Sequence, residues 1–188
     1  MKRIGVGFLS LVMILLLVAC NNNNTGNMII RQSEFSEETK EVLSLINDEM
    51  VFFDYKVDKS IKSMSIDIWT CDNEEWTNGG AVLGNVESSN RRLAIRINDL
   101  SYDIFSINKD GHTKSSHPII VDFNDSNVVS NSRLDNPREI EANKEIPLWT
   151  RLGSNRNSNF FASLSDFRES ECDTGLAITV TFYDKEVE

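Results

Sequence analysis

The chain has 188 residues, 40% hydrophobic and 26% charged, which is enough for one domain with a buried core and unlike the composition of a disordered tail. Nine glycines and three prolines exclude collagen-like and Pro/Gly low-complexity classes, while asparagine (20) and serine (21) are abundant. With 19 basic against 29 acidic residues the formal net charge is −10, which argues against a nucleic-acid partner, because phosphate binding needs clustered Lys and Arg.

Met1-Lys2-Arg3 is a short positive segment ahead of an apolar run, residues 4–19, densest from Leu11 to Val18. This order is that of a secretory signal peptide. As a spanning helix the run would fall short, since 16 residues at a rise of ~1.5 Å cover roughly 24 Å of a ~30 Å hydrocarbon core. At its end stands Leu17-Val18-Ala19-Cys20, which resembles the lipobox of bacterial lipoproteins at all four positions. The resemblance covers the first twenty residues. It implies that the Cys20 thiol, the nucleophile of the site, is joined to diacylglycerol. It implies also that a lipoprotein signal peptidase cuts between Ala19 and Cys20, so that 1–19 are removed. The protein would then be held on the outer side of the cell membrane by its acyl chains, two of which anchor stably where one is marginal.

Removing the first 19 of 188 residues, Lys2 and Arg3 among them, leaves 169 residues and takes the formal charge from −10 to −12. An acidic body is repelled by an anionic membrane surface, so the lipid alone would anchor it. Asn21 follows Cys20 where some Gram-negative lipoproteins carry a retention aspartate. Residues 20–33, opening with four asparagines, read as a polar tether. Residues 34–188 read as one globular domain, with no internal repeat and no interdomain linker.

In that domain the hydrophobic period changes once. Phe35, Val42, Leu43, Ile46 and Met50 fall at helical spacing, with Ser33 or Ser36 as N-cap and Glu37 and Glu38 in the first turn. The pattern predicts one amphipathic helix over 36–50 that covers an end or face of a sheet. Beyond it, short period-2 runs alternate with polar turns: 52–57, 61–71, a poor run from Trp76 broken by Asn78-Gly79-Gly80, 93–97, 102–107, 119–123, 146–151 and 176–182. Residues 124–143, rich in Asn, Asp and Ser, read as a long loop or weakly ordered insert. Seven or eight short strands with frequent turns predict a mainly β protein, an antiparallel sandwich or open barrel with one N-terminal helix.

Chemical motifs are sparse. There is no G-x-S-x-G, no H-E-x-x-H, no P-loop and no G-x-G-x-x-G. His112 and His117 flank a segment read as a loop, and as zinc ligands they lack a marked third partner. Asp122-Phe123-Asn124-Asp125-Ser126-Asn127 is rich in oxygen ligands but lacks the glycine and terminal glutamate of an EF-hand, and reads as a solvated acidic turn. No catalytic residue, metal site or cofactor is marked. Trp69 lies opposite the Met64/Ile66/Ile68 face, where an aromatic ring either stacks on a sugar or is covered by a neighbouring segment; Trp76 and Trp149 read as core.

Cys71 ends one run and Cys172 precedes the cleanest one, so antiparallel pairing of these runs would bring the two thiols to the same edge. The expectation is a Cys71–Cys172 disulfide. A bridge closing about 100 residues stabilises by up to ~4.7 kcal/mol in the chain-entropy model. Their acidic neighbours Asp72, Glu171 and Asp173 disfavour thiolate and a catalytic cysteine. Two functional classes remain open. One is a non-enzymatic lipid-anchored module that binds or supports an envelope protein or carbohydrate. The other is an envelope hydrolase or carbohydrate-active protein without a recognisable catalytic motif.

Overall fold

The computed structural model describes residues 28–45, 49–86, 90–98, 101–118, 121–156 and 163–187. Residues 1–27, with the apolar run read as a signal peptide, Ala19, Cys20 and the asparagine run, lie outside the described residues. In chain order the elements are β1 (Ile29–Gln32), α1 (Glu37–Ser44), β2 (Glu49–Lys56), β3 (Ser63–Asp72), β4 (Glu75–Asn85), β5 (Asn90–Ile97) and β6 (Ser101–Asn108). There follow β7 (Gly111–Pro118), β8 (Val128–Arg133), β9 (Arg138–Glu139), β10 (Glu145–Ser154), a 3-10 turn (Phe167–Glu169) and β11 (Thr174–Tyr183). A six-stranded sheet runs β7-β6-β5-β2-β1-β9 and a five-stranded sheet runs β4-β3-β11-β10-β8, with every pairing antiparallel. The protein is mainly β, with two unclosed sheets arranged as a sandwich.

Alternation along the strands decides what lies between the sheets. Phe53, Leu93, Ile95 and Ile104 from one sheet and Ile66, Ile68, Ile178, Val180 and Phe182 from the other belong to a single buried cluster with Trp149. Tyr55 and Phe182 meet across it with ring centroids 5.1 Å apart. Glu49 fastens one end: its carboxylate accepts from Trp149 Nε1 (3.0 Å) and from Arg151 (3.0 Å), tying β2 to β10.

Several segments differ from the sequence reading, each for a local reason. Ile29–Gln32, read as the end of the tether, pairs with β2 as β1, because alternate side chains there include Ile30, which is fully buried. The helix is shorter than 36–50. Ser36 caps it by accepting from the Thr39 amide (3.3 Å), but Met50 belongs to β2 and no residue of α1 is buried. Val42 (63%) and Leu45 (84%) stand largely in solvent, so α1 covers no sheet face. The run at Asn78-Gly79-Gly80 does not break β4; it absorbs a bulge opposite Ile68/Trp69, with Gly80 at φ 128° and its amide bonded to Asn78 Oδ1 (2.8 Å). Residues 111–118 are strand β7 and not a loop, and the insert at 124–143 contributes β8 and β9. Of 119–123, residues 119–120 lie outside the described residues and 121–123 are irregular. Asn73 (φ 48°) and Glu74 (φ 69°) make the tight β3–β4 turn, as a type I′ hairpin requires. Among the described residues no helix is long and apolar enough to cross a membrane.

Candidate functional site

Two regions gather side chains that could do chemistry or bind a partner. The first is the outer face of the five-stranded sheet. Outward positions of β3, β11 and β10 place Trp69, Thr179 and Glu145 on one diagonal, and residues 163–173, ahead of β11, bring Arg168 onto them. Glu145 accepts from Trp69 Nε1 (3.1 Å), Thr179 Oγ1 (2.8 Å) and, through both oxygens, Arg168 (2.8 Å each). The Arg168 guanidinium lies 3.9 Å from the Trp69 ring centre and 4.3 Å from that of Phe167. Burial raises the Glu145 pKa, but the hydrogen bonds and charge of Arg168, with Thr179 and Trp69, outweigh it and hold the carboxyl below its ordinary value.

The same segment seals a second patch. Phe167 is fully buried and meets Trp76 edge-on at 4.8 Å. Beneath Trp76 lie Cys71, Leu152 and Cys172, all at or below 1% exposure. Gly175 makes this approach fit: a Cβ there would meet Cys71 and Trp76 at 2.9 Å. Both cysteines are free thiols, and their sulfurs are 2.8 Å apart, with Cys172 Sγ–H donating to Cys71 Sγ. That bond lowers the Cys71 pKa against burial and the charges of Asp72 and Asp173, and it pushes Cys172 up.

The second region is the opposite side of the sandwich, where the sheets part between edge strands β4 and β7. A cleft of about 600 Å³ opens there. Its floor is apolar (Met64, Ile66, Val82, Ile104), and its rim is polar (Asn85, Arg91, Ser106, Asn108, Thr113, Ser115). Apolar walls with a few polar groups are the usual make-up of a ligand cleft.

The residues singled out in the sequence take these places. Trp149 fills the core, Trp76 packs on Phe167, and one face of Trp69 is occupied by Arg168, so the sugar-stacking platform is already filled by the protein itself. His112 and His117 are five apart on a strand and so face opposite sides. His117 stacks on Tyr102 (5.1 Å, 12°) and shares a hydrogen bond with Ser115 (2.8 Å), while His112 lies by Phe105 (6.1 Å). Asp122 accepts from the Asn124 amide (2.9 Å) in an Asx turn. Asp122 and Asp125 line a 510 Å³ cleft with Asp72 and Asp173, and among the described residues no group of three His, Cys, Asp or Glu is placed to hold a metal ion. Nothing in the residue pattern marks Glu145, Phe167 or Arg168. Gly175, a glycine inside the cleanest strand, was the one available mark of a close approach.

Two more carboxylates, the part-buried Asp54 and the buried Asp103, are paired in the same manner. Asp54 holds Arg92 through two bonds (2.6 and 3.0 Å), and Asp103 holds Arg96 and Lys114 (3.2 Å to the latter). Burial raises each of these two pKa values, but hydrogen bonds, with those from Arg92 to Asp54 and from Ser116 and Arg96 to Asp103 foremost, leave both below the ordinary value. The sequence matches no protein-family model, and comparison with curated proteins and with solved structures finds no significant match.

Proposed function

We propose that this protein is a lipid-anchored lipoprotein of the cell envelope whose sandwich domain is a non-enzymatic binding or structural module. The anchor rests on Leu17-Val18-Ala19-Cys20 at the end of the apolar run. The non-enzymatic part rests on the fate of the carboxylates. A general acid needs a raised pKa and a nucleophile or base needs a free face. Asp54, Asp103 and Glu145 are instead held ionised by guanidinium partners, and Glu49 is spent on Trp149 and Arg151. The cleft between β4 and β7 is the surface offered to a partner, with an apolar floor to bury a nonpolar group and amides and hydroxyls to orient it. Among the described residues β4 and β7 are edge strands, and they border it.

Growing cells with an alkyne analogue of palmitate tests the anchor. The wild-type protein takes up the label and fractionates with membranes, and Cys20→Ala takes up none. A labelled Cys20→Ala protein, or an unlabelled wild type, contradicts the reading.

A further inference from the structure

We propose that Cys71 and Cys172 form a structural disulfide that pins residues 163–173, ahead of β11, to β3. Both thiols are free, 1% exposed and 2.8 Å apart, whereas a bonded pair sits at ~2.05 Å, so oxidation asks for a small closing movement. The backbone around them is fixed independently. Cys71 lies opposite Gly175 in the β3–β11 ladder, the Asn73 and Glu74 amides donate to the carbonyls of Asp173 and Cys172 (2.8 and 2.9 Å), and the Asp173 amide donates to Gly153 (3.0 Å). Cys172 is thus held against the turn that follows Cys71 before any covalent bond is made. In the open chain either thiolate can attack first, and the outcome is the same with the two sulfurs exchanged.

The oxidant is a disulfide of a small thiol or of a thiol oxidoreductase. Cys71 thiolate attacks one of its sulfurs, giving a mixed disulfide and releasing one thiol. Cys172 then attacks Cys71 Sγ and releases the second. Two protein S–H bonds and one S–S bond become one protein S–S bond and two S–H bonds, and the two protons leave with the small thiols. Trp76 and Leu152 pack against the two cysteines in the folded state, so the exchange takes place before the chain folds over them, and the finished bond is shielded. The pinned segment carries Phe167 and Arg168, and the bond therefore fastens the cover that occupies Trp69 and Trp76. The geometry does not depend on the lipid anchor.

The test uses the full chain, unfolded, refolded in a buffer of reduced and oxidised glutathione, alkylated without reduction and digested for mass spectrometry. The expected product is a linked Cys71–Cys172 peptide pair, with Cys20 in neither partner. Free or separately glutathionylated Cys71 and Cys172 overturn the proposal whether or not the protein is acylated in cells. The linked protein should melt about 5–15 °C above the reduced one. Trypsin should cut at Arg156 and Arg168 several-fold faster in the reduced form. Equal melting and equal cleavage would overturn the pinning.

Discussion

The outer faces of the two sheets solve the same problem differently. On the five-stranded sheet the described residues 163–173 lay Phe167 beside Trp76 and lock Arg168 between Trp69 and Glu145. On the six-stranded sheet α1 follows β1 but buries nothing, and that face relies on Asp54–Arg92, on Asp103 with Arg96 and Lys114, and on Phe35 set edge-on to Phe52 (5.0 Å). The difference shows what a cover needs. An amphipathic period gives α1 its shape, but only fully buried anchors such as Phe167 give a segment a place.

The comparison is broken most severely at Phe167. Phe167→Ala removes a fully buried ring and should cost about 3–5 kcal/mol in denaturant unfolding, with trypsin sensitivity appearing at Arg168. Loss of well under 1 kcal/mol would mean that this segment is not a structural cover.

Next come the carboxylates that hold each face. Glu145→Gln and Asp103→Asn should each cost about 1–3 kcal/mol, because charged hydrogen bonds are lost and cations are left unpaired. The pH dependence has a fixed sign. Folded values lie below the ordinary 4.5 of Glu145 and 3.8 of Asp103, so their stabilisation is complete above about pH 5 and is lost as pH falls through the lowered values. Wild-type stability measured from pH 7 to pH 3 should therefore drop steeply at the acid end, and each variant should drop less. A variant as acid-sensitive as the wild type would remove its carboxylate from the account.

The smallest effect belongs to α1. Val42→Ser and Leu45→Ser should shift stability by less than about 0.5 kcal/mol, as exposed substitutions do. A larger loss would mean that α1 docks after all.

The two faces also mark how far the sequence could be read. The sandwich was legible because strands such as β3, β5 and β11 alternate cleanly, and the meeting of Cys71 with Cys172 followed from which strand ends face each other once β3 and β11 pair. The cover was not. Phe167 sits in a polar stretch with no period, and the Arg168–Trp69–Glu145 lock joins residues 76 and 23 positions apart. Nor was the failure of α1 to pack visible, since Val42 and Leu43 satisfy a helical period whether or not a sheet face receives them. β8 and β9 escaped because edge strands with one solvent face carry serine and asparagine as readily as a loop does.

The proposed lipid on Cys20 would hold the chain at a membrane surface. Mass spectrometry of the amino-terminal peptide of the protein taken from cell membranes tests it most directly. The expected product is a chain that begins at Cys20 and carries the mass of a diacylglyceryl group on its sulfur. A recovered peptide with the Ala19–Cys20 bond intact, or an unmodified Cys20, would contradict it.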